Sequence, residues 1–166
     1  MSNHAFTKAI ASLKLIDVFI KDSSSSLGSD FDPKFDARSD RLSFQTKNFI
    51  TASAVIEAES ENGPLKMFRV TSELGVRIIC KDDAAKKDED IEVLAIVEAT
   101  MEADYDIVDS TITEDEEALD AFALKNVPYH VWPYWREYVT SQLQRMNMPK
   151  LVLPMRIRAT NDEQPC

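Results

Sequence analysis

Residues 91–107 hold the longest regular pattern in the chain. Ile91, Val93, Ala95, Val97, Ala99, Met101, Ala103, Tyr105 and Ile107 take every odd position, while Glu92, Glu98, Thr100, Glu102, Asp104 and Asp106 share the even ones with Leu94 and Ile96. A strict period of two over this length is a strand, because a helix would bring every third or fourth residue to one face. At about 3.3 Å per residue the strand exceeds the common length, which predicts a bend or bulge along it. Three earlier segments read in the same way. Residues 12–21, SLKLIDVFIK, set Leu13, Leu15 and Phe19 on one strand face and Ile16, Val18 and Ile20 on the other. Both faces are apolar, so this strand is expected to be buried on two sides or to lie beneath a site for something apolar. Residues 44–59 form a second strand with Ile50, Ala52, Ala54, Ile56 and Ala58 in phase, and Asn62-Gly63 after it signals a tight hairpin. Residues 66–80 form the third, with Phe68, Val70, Leu74, Val76, Ile78 and Cys80 at period two. Gly75 within it marks a bulge or a close contact. Residues 23–40 read as a long loop, rich in Ser and Asp but carrying Phe31 and Phe35, and residues 80–90 as a polar connection.

The period changes in the last third. Residues 113–120, TEDEEALD, look like a helix start, with Thr113 as N-cap and acids in the first turn. The main helix is expected to begin near Val131 or Trp132, with Pro133 in its first turn, where a missing N–H is harmless. Trp132, Trp135, Val139, Leu143 and Met146 then advance by three or four residues as one stripe, which Tyr134 and Tyr138 widen. Pro149 stops the helix, and LVLPMRI continues as an extended segment broken by Pro154. The fold class expected is α+β: a four-stranded antiparallel sheet followed by a long amphipathic helix, in a single domain over 1–166 with residues 1–9 and 158–166 as flexible tails. Residues 126–149 hold both tryptophans and three of the four tyrosines. That stripe is wide for a helix covering one small sheet, which points to a helix sandwiched between subunits.

Charge narrows the partners. The net charge is −10, and residues 82–120 carry sixteen acids against Lys86 and Lys87. Such a surface argues against nucleic-acid binding, which rests on phosphate neutralisation. The acidic block is either a solvated face or a docking surface for a basic partner. There are two cysteines, Cys80 and Cys166, which fits a reducing compartment. No signal peptide is expected at the N-terminus, and no apolar run approaches the roughly 18 residues that span a membrane. A soluble cytoplasmic protein is the expectation. His4 and His130 are isolated, which gives no metal-ligand spacing. Three glycines offer no phosphate-cradling loop. The chain is expected not to be an enzyme, and to need neither metal nor cofactor.

The segment WPYWREYVTSQLQRMNMPKLVL resembles the main helix and adjoining loop of the SecB family of export chaperones. Trp132, Pro133, Tyr134, Arg136, Glu137, Val139, Pro149 and Leu151 carry the likeness, and the strand order agrees over roughly residues 10–157. The opening strand LKLIDVFIKDSSSSL is also similar to that of the family. The resemblance implies a homotetramer, a dimer of dimers with the main helices packed between two sheets. It implies an ATP-independent chaperone that holds unfolded or nascent polypeptides in apolar grooves for export, with the SecA motor as partner, or that protects an antitoxin in the toxin–antitoxin branch. It makes Leu13, Leu15, Phe19, Phe31 and Phe35 client-binding candidates. Trp132, Trp135, Tyr138, Val139, Leu143 and Met146 become core or oligomer-interface candidates. One departure is plain: the export-type family has a second helix after the loop, and MRIRATNDEQPC, with little periodicity, is not expected to make one. Two other readings stand beside this one, a carrier of small apolar ligands and a dedicated interaction module. Phe31 and Phe35 equally suit anchoring of their own loop.

Overall fold

The computed structural model describes residues 3–156. Helix α1 (Asn3–Ser12) leads into strand β1 (Leu13–Leu27), followed by β2 (Leu42–Ser60), β3 (Gly63–Cys80), β4 (Val93–Ile107), α2 (Glu116–Lys125) and α3 (Val127–Arg145). The four strands make one antiparallel sheet in the order β1-β4-β3-β2. This is the expected α+β architecture.

The pairing register explains why one sheet face is apolar along most of its length, with Ser72 as the buried polar exception on β3. Val70 pairs with Ala103, Leu74 with Ala99, and Val76 with Val97, and all six are buried. The partners at each end of this run continue the same face, from Phe68 and Tyr105 to Ile78 and Ala95. Residues directly opposite in a ladder share a face, so the period-two patterns of β3 and β4 superimpose. Helix α3 lies lengthwise on that face. Its His130 Nδ1 meets Tyr105 Oη at 2.9 Å near one end, and Gln142 Oε1 accepts from Ser25 Oγ at 3.0 Å near the other. Val127, Val131, Trp135, Val139 and Leu143 recur every four residues and are all buried, the stripe that a helix turns inward. Tyr105, Phe68 and Phe122 of α2 pack together at the first end, with the Tyr105 and Phe122 rings edge to face at 4.9 Å between centroids.

Two bulges correct the expected faces of β1. The register shifts between Leu15 and Asp17 and again between Ile20 and Asp22. A bulge adds one residue and so exchanges the faces beyond it. Leu13 and Leu15 lie opposite Ile107 and Tyr105, and after the first bulge Val18 and Ile20 lie opposite Ala103 and Met101. These four therefore share the helix-covered face, and Phe19, opposite Glu102, turns to the other. A bulge between Ile50 and Ala52 splits β2 in the same way. Ile50 stays with the helix-covered face, while Ala52, Ala54 and Ile56 point away from it. The irregularity expected of the long fourth strand falls in the β3–β4 pairing, between Ile78 and Ile79. At Gly75 the pairing is regular, and the glycine answers a close contact instead. Lys47 crosses it to reach Glu98 at 2.5 Å, and a Cβ there would come within 2.6 Å of Lys47 Cε.

Strand β1 runs on through Ser23–Ser26 to Leu27, where a loop was expected, because β4 supplies a complete ladder to pair with. Residues 3–9, expected as part of a tail, form most of α1; the other expected tail, 158–166, lies outside the described residues. Alanines give a weak periodic signal, yet Ala5 and Ala9 are buried where α1 packs on α2. The cap of α2 is Asp115 and not Thr113: its carboxylate accepts from Ala118 N at 3.1 Å and from Lys8 Nζ at 3.0 Å. Helix α3 begins at Val127, four residues before the expected start, with Pro128 in its first turn. Pro133 is therefore interior. It leaves the Tyr129 carbonyl without its helical donor and bends the helix. The C-terminus is a Schellman motif: Met148 N donates to Leu143 O at 2.9 Å, Asn147 N to Gln144 O at 3.0 Å, and Asn147 has φ 56.

Around β4 the uncovered sheet face is charged and internally paired. Arg69 grips Asp104 with two 2.7 Å hydrogen bonds and reaches Glu102 at 3.2 Å, while Phe19 lies under its guanidinium at 5.3 Å. Both carboxylates are buried, and Lys21 adds a 2.9 Å contact to Glu102 from the solvent side. The hydrogen bonds to Asp104 hold the Arg69 pKa above its ordinary value. Arg69→Ala should strand the buried Asp104 carboxylate, leave Glu102 with Lys21 alone, and lower the unfolding free energy by about 3–5 kcal/mol in chemical denaturation. Lys21→Ala, at an exposed ammonium, should cost less than about 1 kcal/mol. Lys8 and the Ala118 amide lower the Asp115 pKa, so its contribution is present above the ordinary carboxylate range and is lost as pH falls through the lowered value. Asp115→Asn should flatten the acid limb of the stability–pH curve below about pH 4, read by thermal melts across that range.

Candidate functional site: two clefts flanking the long helix

The inward stripe of α3 divides its remaining surface into two flanks. Tyr134 and Tyr138 project on the β1 side. Trp132, Arg136 and Thr140 lie about half a helical turn away, on the opposite side of that stripe. Each flank borders an apolar cleft.

On the β1 side an open cleft of about 510 Å³ lies between Val18, Ile20, Met101, Pro133, Tyr134 and Tyr138. Its floor exists because the first bulge brings Val18 and Ile20 to this face. Ile20 remains 39% exposed and Tyr134 45% exposed, and Leu15 extends the apolar surface along the same strand. Ile16, at the bulge itself, is exposed as well. β1 is also a sheet edge, so a row of backbone donors and acceptors runs beside the apolar strip. Exposed apolar surface next to a free edge is the chemistry of polypeptide recognition: area gives affinity without demanding one sequence, and the edge offers a ladder.

On the other flank a segment without helix or strand, residues 149–156, returns over α3. Trp132 Nε1 donates to Pro154 O at 2.9 Å, and Arg136 Nε donates to Leu153 O at 2.6 Å. Leu153 is buried, and Arg156 stacks over the rings of Tyr129 and Trp132 at 5.5 and 5.8 Å. A cleft of about 430 Å³ remains beside it, bordered by Tyr129, Trp132, Arg136, Val152 and Met155.

The residues singled out from the sequence separate. Leu13 is buried in the core, Leu15 lies on the exposed strip, and Phe19, whose ring sits under Arg69 on the charged face, also borders the β1 cleft. Phe31 is buried with Arg38 at 5.7 Å from its ring, whereas Phe35 is 83% exposed. Trp135, Val139 and Leu143 are enclosed by this one chain, while Trp132, Tyr138 and Met146 are half-buried at its margin. Val18, Ile20 and Tyr134 complete the β1 cleft. Period two pairs Val18 with Ile20 on one apolar strand face, but only the bulge, which periodicity does not announce, joins them to Leu13 and Leu15 beneath α3. Among the described residues, no group of His, Cys, Asp and Glu is placed to hold a metal, and no helix is long and apolar enough to cross a membrane.

No protein-family model matches the sequence, and no curated protein does. Among solved structures, the chain superposes on the Mycobacterium tuberculosis SecB-like chaperone Rv1957, solved in complex with a ChAD peptide from the Rv1956 HigA1 antitoxin. The TM-score is 0.67 at 20% sequence identity, over 95% of this chain and 100% of that one. The fold is SecB-like. The expected architecture therefore stands, with the strands, the bulged edge and the long bent helix as its elements. In this SecB-like chain α3 is succeeded, among the described residues, by the extended segment 149–156 and no second helix.

Ile20→Asp and Tyr134→Asp alter side chains already at the surface. Each should change stability by no more than about 0.5 kcal/mol while reducing binding of an environment-sensitive apolar dye. Val18→Asp, at a buried position in the same cleft, should instead unfold the chain, as monitored by circular dichroism.

Proposed function

We propose that this chain is an ATP-independent chaperone that holds unfolded or nascent polypeptides along the cleft between β1 and α3. The observation that carries the reading is the open strip of Leu15, Ile20 and Tyr134 beside a free sheet edge. It occurs on the SecB-like fold, whose Mycobacterium tuberculosis relative in structure was solved with an antitoxin peptide bound. Each apolar client side chain fully buried there contributes roughly 1.5–3 kcal/mol. Several such subsites along one strip combine by effective concentration. That is enough to retain an extended chain while letting any single residue go.

The same strip favours assembly. A free β1 edge with exposed Leu15 and Ile16 is a self-complementary surface for a two-fold partner, and a dimer of dimers would place longer continuous grooves on one particle. Two client regimes suit the groove: general holding of export substrates in the cytoplasm, with hand-over to the SecA motor, and dedicated protection of an antitoxin. The acidic block of residues 82–120, sixteen acids against two lysines, supports hand-over to a basic partner. A carrier of small apolar ligands is less favoured, because a four-stranded open sheet with two free edges does not enclose its clefts.

Mass and activity on one sample decide the matter. The chain should run as a tetramer in light scattering and suppress aggregation of a chemically denatured, unrelated protein without added nucleotide. Ile20→Asp and Tyr134→Asp should weaken suppression by about tenfold in midpoint concentration, equivalent to about 1.4 kcal/mol. A folded sample that leaves aggregation unchanged would exclude the general holding role, and tight binding to a single antitoxin segment by that sample would establish the dedicated one.

A further inference from the structure

We propose that the flank of α3 formed by Trp132 and Arg136 is a second seat for extended polypeptide, and that residues 151–155 of the chain occupy it in cis. The bonds themselves have the chemistry of peptide recognition. Two side-chain donors reach consecutive backbone carbonyls, Trp132 Nε1 to Pro154 O and Arg136 Nε to Leu153 O. Carbonyls are common to every sequence, so these donors read backbone and not side chain. One apolar anchor, Leu153, is buried between exposed Val152 and Pro154, and Met155 beyond them stays 65% exposed. A single buried side chain on an extended segment held by its carbonyls is a one-pocket form of groove recognition.

The segment is held by side chains alone. Among the described residues, no backbone–backbone hydrogen bond involves residues 149–156. The Schellman motif closes α3 with bonds that end at Met148, so release of residues 150–156 leaves the helix end capped. Arg136 Nη1 also lies 2.9 Å from Met155 Sδ, a weak acceptor that a backbone carbonyl would improve on. The cleft of about 430 Å³ beside the strap leaves room for an incoming chain to start before the strap has left. The ligand class is an extended apolar peptide carrying a branched aliphatic residue at the Leu153 position. The occupied seat lowers apparent affinity by the fraction of time the strap is closed. The strap is thus a built-in competitor, and it sharpens the preference for long clients that fill the β1 cleft and this seat together. That last step rests on the chaperone reading; the seat itself does not.

The test uses the full chain and a fluorescent peptide copying residues 151–156. Leu153→Asp removes the anchor and should open the seat, so that the peptide binds at least about tenfold more tightly than to the unaltered chain. Adding Arg136→Ala to Leu153→Asp should lose that gain. Equal peptide binding by both folded proteins would overturn the seat. In parallel, methyl NMR on the unaltered chain, with a permanently unfolded carboxymethylated protein added, needs no variant to fold. The Leu153 methyl resonances, buried in the seat, should move to the positions of a solvent-exposed leucine when the unfolded protein binds. Binding with unchanged Leu153 resonances would overturn strap displacement and leave the chaperone reading intact. No binding of the unfolded protein, with the peptide still captured by Leu153→Asp, would overturn the chaperone reading and uphold the seat.

Discussion

Everything in this molecule is arranged around one constraint: the apolar face shared by β3 and β4 must be covered, and α3 is the element long enough to cover it. Val70, Leu74, Val97 and Ala103 are closed off from solvent beneath Val131, Trp135 and Val139. Burying those side chains is the dominant favourable term in the fold. It also dictates where the surface stays apolar. A helix of about 10 Å diameter on a four-stranded sheet cannot cover all of it, so apolar residues at the margins border two open clefts.

Those margins are where function is placed. On one side the bulged edge strand supplies Leu15, Val18 and Ile20, and on the other the returning segment 149–156 fills part of the space under Trp132 and Arg136. Pro133 matters to both, since it borders each cleft. An interior proline is costly in a helix, by about 3 kcal/mol. Here it stands on the outer surface, beside Tyr134, between the two clefts. The charged face has the contrary character. Arg69, Lys21 and Lys47 neutralise carboxylates of β4 in place, so Glu98, Glu102 and Asp104 are matched within the chain. In the connection before β4, Asp82, Asp83, Asp88 and Glu92 are likewise matched, by Arg41, Lys86, Arg77 and Arg38.

The resemblance on the α3 segment led to the correct fold at a level of identity where sequence matching finds nothing. The reason is that the signature residues are structural punctuation. Pro149 comes directly after a Schellman motif, Arg136 ties the returning chain at Leu153, and Trp132 ties it one carbonyl further along. Such residues answer to local geometry, and local geometry is what the SecB-like fold shares. The four strands were legible for a similar reason: alternation in β3 and β4 is enforced by a face that is buried along its whole length.

The sequence by itself determined the sheet, the amphipathic helix, the hairpin at Gly63 and the end of α3, because each rests on contacts within a few residues or on an unbroken period. Only the tertiary structure decided which residues share a face in β1 and β2, since one added residue at a bulge exchanges the faces of every residue beyond it. It moved Phe19 to the charged side and gathered Val18, Ile20 and Tyr134 into a cleft. It also gave α1 its place, because a face of alanines becomes apolar only when another helix lies close enough to use it. Periodicity reports what a segment can bury; the partner that arrives decides what it does bury.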